Sequence, residues 1–149
     1  MTTTTGPLQK YVDAAMRRLL RSPLHGVLSR KIMLLEVTGR KSGRRYTIPI
    51  AYGEHGHEVL IGVAEARWLH NLTPDRPVTA TVRGRRRELY PQRVTDEDTV
   101  AALYPHIVAG NRAHARFQQL RVGPDGSVHR DDLRRALARG LALIRLRPA

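Results

Sequence analysis

The sequence predicts a mainly β domain of about six strands with helices at its periphery, and three observations carry that reading. Short β-branched and aliphatic runs recur between Gly-rich turns from about position 32 to 95. Longer apolar patterns of helical spacing lie before and after that stretch, with only one short helical piece inside it. A chain of 149 residues that is 41% hydrophobic is long enough for one core and too short to argue for two, so 1–149 is read as one domain.

The N-terminal residues 1–6, with four threonines in a row, read as disordered. Pro7 then opens a helix over 7–21, on which Leu8, Tyr11, Val12, Ala15, Met16, Leu19 and Leu20 recur on one face. Arg17, Arg18 and Arg21 load its last turn, where cations suit the helix dipole. Packing over the open end of the β core accounts for such a helix, and a basic amphipathic helix also suits peripheral contact with a membrane or with DNA. Strands follow at 32–37 and 46–52, a turn at 53–57, and a third strand at 58–63. A short helix over 67–72, stopped by Pro74, leads to strands at 78–83 and 87–95 around the basic turn Gly84-Arg85-Arg86. A capping run, Thr95-Asp96-Glu97-Asp98, starts a helix over 98–109 that carries Val100, Leu103, Tyr104, Ile107 and Val108. Gly110-Asn111 breaks it, a second helical piece spans 111–121, and Gly123-Pro124-Asp125-Gly126 is a turn. A helix over 130–139 hands over to a closing strand at 141–146.

The segment Thr38-Gly39-Arg40-Lys41-Ser42-Gly43-Arg44-Arg45 between the first two strands carries the most chemistry. Gly39 and Gly43 can take positive φ and let backbone amides turn toward an anion, while four cations and the Ser42 hydroxyl add donors. The spacing fits neither a Walker loop nor the dinucleotide fingerprint. By spacing alone, an anion cradle and a solvated turn both remain open.

The 26 basic residues outnumber the 13 acidic ones for a formal charge of +13, and only Lys10, Lys31 and Lys41 are lysines. Such a surplus favours polyanionic partners: nucleic acid, an anionic membrane, or a phosphorylated and carboxylated cofactor. Arginines spread over the whole chain, 5% aromatics and no recognition motif speak against specific nucleic-acid binding. The absence of cysteine excludes disulfides, thiolate metal sites and a Cys nucleophile. His55 and His57 sit in a turn with only Glu54 and Glu58 near them, too few ligands for a metal. No apolar run approaches a membrane span and the start lacks the build of a signal peptide, so a soluble cytoplasmic protein is expected.

Thr-Gly-Arg-Lys-Ser-Gly at 38–43, an Arg at 45 and Pro49, followed by Trp68-Leu69-His70-Asn71-Leu72 beyond a hairpin, resemble the deazaflavin-dependent nitroreductase family. The resemblance covers roughly residues 30 to 95. It implies an FMN-binding split-barrel-like fold, that is, a split β-barrel, and a homodimer. It also implies a hydride transfer between reduced coenzyme F420 and an electron-poor small molecule: a quinone, an enone or a nitro compound. On that resemblance Arg40, Lys41, Ser42, Gly43 and Arg45 hold the phosphate and glutamate end of the cofactor, with Pro49 in the motif. Trp68 and Asn71 shape the ring site, and Tyr52 and Tyr104 are candidates to orient substrate or donate a proton. Tyr104, His106, Asn111, His114 and Phe117 are candidate pocket residues on the helical excursion. The chain departs from the family in two places. It runs Val63-Ala64-Glu65-Ala66-Arg67-Trp68 where the family has a longer Gly-rich loop with a Pro, and it has Tyr46 where an Arg is common. Tail binding is thus better preserved than ring binding. FMN, FAD or heme as cofactor, a cofactor-free cyclase or isomerase, and a basic nucleic-acid-binding module stand as alternatives.

Overall fold

The computed structural model describes residues 32–64, 67–109 and 111–149, without the side chains of Ala113 and Phe117. The expected disorder at 1–6 and the helix over 7–21 lie outside the described residues. Among the described residues seven strands and four helical pieces follow in order: β1 (Ile32–Thr38), β2 (Arg45–Ala51), β3 (Gly53–His55), β4 (Glu58–Val63), a 3₁₀ turn (Arg67–Asn71), β5 (Val78–Val82), β6 (Arg85–Val94), α1 (Glu97–Val108), α2 (Arg112–Phe117), α3 (Arg130–Ala138) and β7 (Ala142–Arg147).

The strands form one continuous antiparallel ladder in the order β2-β1-β5-β6-β7-β4-β3, of which β2-β1-β5 with the first part of β6 is the first sheet and the rest of β6 with β7-β4-β3 the second. Two stretches of chain each serve two neighbours. β6 pairs with β5 as far as Leu89 (opposite Val78) and with β7 from Tyr90 (opposite Arg147). Only Tyr52 separates β2, which pairs with β1, from β3, which pairs with β4. The two ends of the sheet are therefore consecutive in sequence, and the sheet curls back on itself as a split β-barrel. Tyr52, 5% exposed, fills that corner. The turn expected at 53–57 shrinks to Gly56-His57, and Gly53–His55 adds the seventh strand. Its turn-like composition is overruled by pairing with β4, Gly53 lying opposite Leu60.

Strand periodicity explains two apolar layers. Met33, Leu35 and Val37 of β1, Val59 and Ile61 of β4, and Ile144 and Leu146 of β7 point into the barrel. Leu60 of β4 and Leu143 of β7 point the other way and pack beneath α1, α2 and α3. Both faces of β4 and β7 are thus covered, which is why Val59-Leu60-Ile61 and Ala142-Leu143-Ile144 read as continuous apolar runs.

The helices start where the sequence caps them. Asp96 accepts from the Thr99 N–H at 3.0 Å, and Glu97 and Asp98 lie at the positive end of α1. Arg130 and Arg134 of α3 reach back to Glu97 at 2.7 Å each. The helical piece expected over 111–121 ends at Phe117, because Gln119 takes φ +61° and the Leu120 N–H closes the turn on the Ala115 carbonyl at 2.8 Å. Among the described residues no helix is long and apolar enough to cross a membrane, and no group of three or more His, Cys, Asp or Glu could hold a metal.

Candidate functional site

The cationic loop is a closed turn at the end of the β1–β2 hairpin. The Gly39 N–H donates to the Arg44 carbonyl and the Gly43 N–H to the Gly39 carbonyl, both at 2.8 Å. Gly43 sits at φ +69°, the left-handed conformation that favours glycine. Gly39 is needed for clearance, since a Cβ there would come within 2.7 Å of the Ser42 Oγ. That hydroxyl accepts from the Arg44 N–H at 3.3 Å. The amides of Gly39, Arg40, Gly43 and Arg44 are therefore engaged within the protein. What the loop presents outward is side chains. Arg40, Lys41 and Arg45 are exposed and pair with no acid among the described residues.

Asn71 joins the two sequence motifs. Its Oδ1 accepts the Arg40 N–H at 3.1 Å and its Nδ2 donates to the Tyr46 hydroxyl, so both ends of the amide hold the loop and the start of β2 together. The backbone positions it through the 3₁₀ turn, whose Leu69 is buried and whose Trp68, with Leu72 just beyond the turn, packs half-buried against the barrel core. Burial pushes the Tyr46 phenol above its ordinary pKa, against the opposing pull of the Asn71 hydrogen bond, and it stays protonated at neutral pH.

A polar cleft of about 310 Å³ beside this loop, on the outer face of the first sheet, is lined by Thr38, Arg45, Asn71, Arg76, Arg86 and Glu88 among others. Arg86 is held at 3.0 Å by Glu36. Thr38, Arg76 and Arg86 are not among the site residues expected from the sequence. The one available signal was Glu36, a lone carboxylate in an apolar strand, which marks an outward position with a partner. Pro49 lies on the same outer face, opposite Leu34.

The remaining candidates lie elsewhere. Tyr52 sits at the far end of β2, about 20 Å along the strand from Arg45 at the usual rise per residue, with the Arg83 guanidinium against its hydroxyl. That contact, then Glu54 at 3.0 Å, raises the Arg83 pKa. Tyr104 is 0% exposed in the helical layer and packs with His114 on Gly62 of β4, where a Cβ would meet His114 Nε2 at 2.9 Å and Tyr104 at 3.0 Å. Burial raises the Tyr104 pKa and lowers that of His114. His106 stacks on His55 at 4.2 Å between ring centres; burial, then the neighbouring imidazole, lowers its pKa. Asn111 caps α2 by accepting from the His114 N–H. The loop thus gathers Arg40, Lys41, Ser42, Gly43, Arg45 and Asn71, with Trp68 beside Asn71, and neither Tyr52 nor Tyr104.

Comparison with known proteins bears on what such a loop holds. Residues 11–123 match the family model described as F420H(2)-dependent quinone reductase. Among solved structures the chain is similar to one described as a domain-swapped dimer, with a TM-score of 0.58 and 16% identity over 95% of this chain and 99% of that one. It is similar to an F420-H2-dependent reductase with a TM-score of 0.57 and 14% identity over 78% and 94% of the two chains. A FAD-binding protein from Mesorhizobium loti gives 0.53 and 11% over 86% and 90%. At these identities the structures speak to the fold. No curated protein matches the chain.

Proposed function

The chain belongs to the F420H(2)-dependent quinone reductase family, and from that premise we propose that it is an oxidoreductase that transfers a hydride from reduced coenzyme F420 to a quinone. The observation that carries the reading onto this chain's residues is the loop in which Arg40, Lys41 and Arg45 stand exposed without acidic partners. That donor set fits a ligand bearing a phosphodiester and a polyglutamate tail, both of which F420 has. When bound, the reduced deazaflavin supplies the hydride; with one proton the quinone becomes a hydroquinone.

On this reading Arg40, Lys41 and Arg45 neutralise the phosphate and carboxylates, the Ser42 hydroxyl lies among them, and Gly43 provides the turn. Asn71 fixes the loop that carries Arg40 and Lys41. Pro49 and Trp68 wall the approach. Tyr46 accepts a hydrogen bond from Asn71, which leaves its own O–H to donate, and it is the phenol nearest the loop. Tyr52 and Tyr104, offered by the resemblance as substrate or proton-donating groups, would act only from their distant positions.

Titration with F420 followed by quenching of Trp68, the only tryptophan, tests this. Micromolar binding is expected, weakened about tenfold, or about 1.4 kcal/mol, in each of Arg40→Ala and Lys41→Ala. Absent binding, or binding indifferent to both substitutions, overturns the proposal, and the same titration with FMN and FAD then identifies the flavin alternative.

We also propose a homodimer formed through the outer face of the first sheet. Ile32, Leu34 and Pro49 there are apolar and only half-buried. Light scattering should give a dimer mass for the native chain and a monomer mass for Leu34→Asp; a native monomer sinks the idea.

A further inference from the structure

The helix α2 is seated against the rest of the helical layer through an ionisable ring. The run Arg112-Ala113-His114-Ala115-Arg116 leaves Arg112 and Arg116 exposed and turns His114 and Ala115 inward, His114 half-buried and Ala115 fully buried. The imidazole lies 5.7 Å from the Tyr104 ring, centre to centre. Both rings rest on Gly62, where β4 has no side chain to hold them off. The inner atoms of the pair, His114 Nε2 and the Tyr104 hydroxyl oxygen, are shut off from solvent and have no hydrogen-bond partner among the described residues.

Such a seat suits a neutral imidazole and not a charged one. Protonation would make Nε2 a charged donor facing a phenol and a glycine backbone, and a buried charge without a counter-ion is costly. Each element packed around the ring withholds a counter-ion. β4 presents Gly62 and α1 presents Tyr104, while His106 of α1 is engaged with His55. α2 itself adds two guanidiniums, Arg112 and Arg116, one on either side of His114. On α3 the Asp132 carboxylate is taken by Arg121 at 2.8 Å and Arg135 at 2.6 Å, and Arg139, just beyond that helix, adds a further cation by donating to the Gln118 carbonyl at 3.3 Å. Burial accordingly lowers the His114 pKa.

We propose that His114 is an acid-sensitive latch: once protonated, its ring leaves the seat formed by Tyr104 and Gly62, and α2 comes away with it and uncovers Tyr104 and Ala115. The helix is built for release. Six residues are too few to hold a helix in water without tertiary packing. The chain leaves α2 through Gln119 at φ +61°, a strained conformation for a residue with a side chain, which release would relax. The direction follows from linkage. A released imidazole titrates near its ordinary value of about 6.5, and the seated one lower, so the latch holds fully above that value. Below it, until the seated ring itself titrates, each pH unit favours release about tenfold, because one proton is taken up on opening.

Hydrogen exchange of the full chain, corrected for intrinsic rates, tests this at the two amides that close α2: Gln118 on the His114 carbonyl at 3.1 Å and Leu120 on the Ala115 carbonyl at 2.8 Å. Their protection is expected to fall about tenfold per pH unit below about 6.5, and to do so without change in mild urea, which marks release of α2 alone. His114→Gln should abolish that slope, and His106→Gln should keep it. A flat profile in the native chain, an equal slope in His114→Gln, loss of the slope in His106→Gln, or exchange that follows β4 in urea would each overturn the proposal. Should His114→Gln fail to fold, the imidazole titration of the native chain followed by NMR decides: His114 is expected to titrate below about 6.5, and titration at or above that value overturns the latch.

Discussion

Gly53→Ala is expected to destabilise the protein by about 3 kcal/mol or more, the largest effect of a single methyl group in this fold. A Cβ on Gly53 would lie 2.5 Å from the His106 carbonyl oxygen, 2.7 Å from the Ile107 Cα and 2.8 Å from the His106 carbonyl carbon. All three are backbone atoms of α1, so no side chain can swing aside. Either β3 leaves β4 or α1 lifts and exposes its own Ile107 and Val108, which are buried against the core. Gly56→Ala is the control. Gly56 has φ +60° but open space around its Cβ position, and its substitution should cost only the left-handed backbone penalty, about 1 kcal/mol. Urea denaturation of both variants decides; a Gly53→Ala loss no larger than that of Gly56→Ala would mean that α1 does not bear on β3 as described.

Asn71→Ala should weaken F420 binding about tenfold, in the range expected for two lost hydrogen bonds of roughly 1 kcal/mol each, although no part of Asn71 need touch the cofactor. The substitution removes the acceptor for the Arg40 N–H and the donor to Tyr46 at once, and it frees the loop that presents Lys41. Tyr46→Phe removes only the second bond and should cost less. Hydrogen exchange at the Arg40 amide separates this positioning role from a merely structural one: it should accelerate in Asn71→Ala and stay slow in Tyr46→Phe. Unchanged exchange and unchanged affinity in Asn71→Ala would show that the loop holds its shape unaided.

Much of this architecture was legible from local pattern. The hairpin around the cationic loop, expected at 32–37 and 46–52, is found at Ile32–Thr38 and Arg45–Ala51, and the helix expected over 98–109 at Glu97–Val108. Those elements declare themselves through alternation, capping and turn residues, all short-range signals. β3 does not, because Gly53-Glu54-His55 has a turn composition and is a strand only through its register with β4. The inner workings of the loop were equally hidden. By spacing the two glycines left an anion cradle and a solvated turn both open; what they permit is closure of the loop upon itself, with the Arg40 N–H taken by Asn71, 31 positions away. Tyr104 shows the same limit in reverse: helical spacing put it on the apolar face, and only the packing of α1 on Gly62 shows that this face is the interior of a separate helical layer.

The path of β7 has a consequence for how the chain reaches this structure. β7 lies between β6 and β4, so β4 finds its second neighbour in a segment so remote that Arg145 and Glu58, which pair across the two strands at 2.9 Å, are 87 residues apart. A loop of that length is entropically dear to close, and contacts of such separation form late. Until then Val59, Leu60 and Ile61 form an apolar ribbon with one edge open to any passing strand. The hairpins of the first sheet can assemble as soon as they are made, but the second sheet waits, and in that interval the molecule is at its most vulnerable to pairing with another copy of itself.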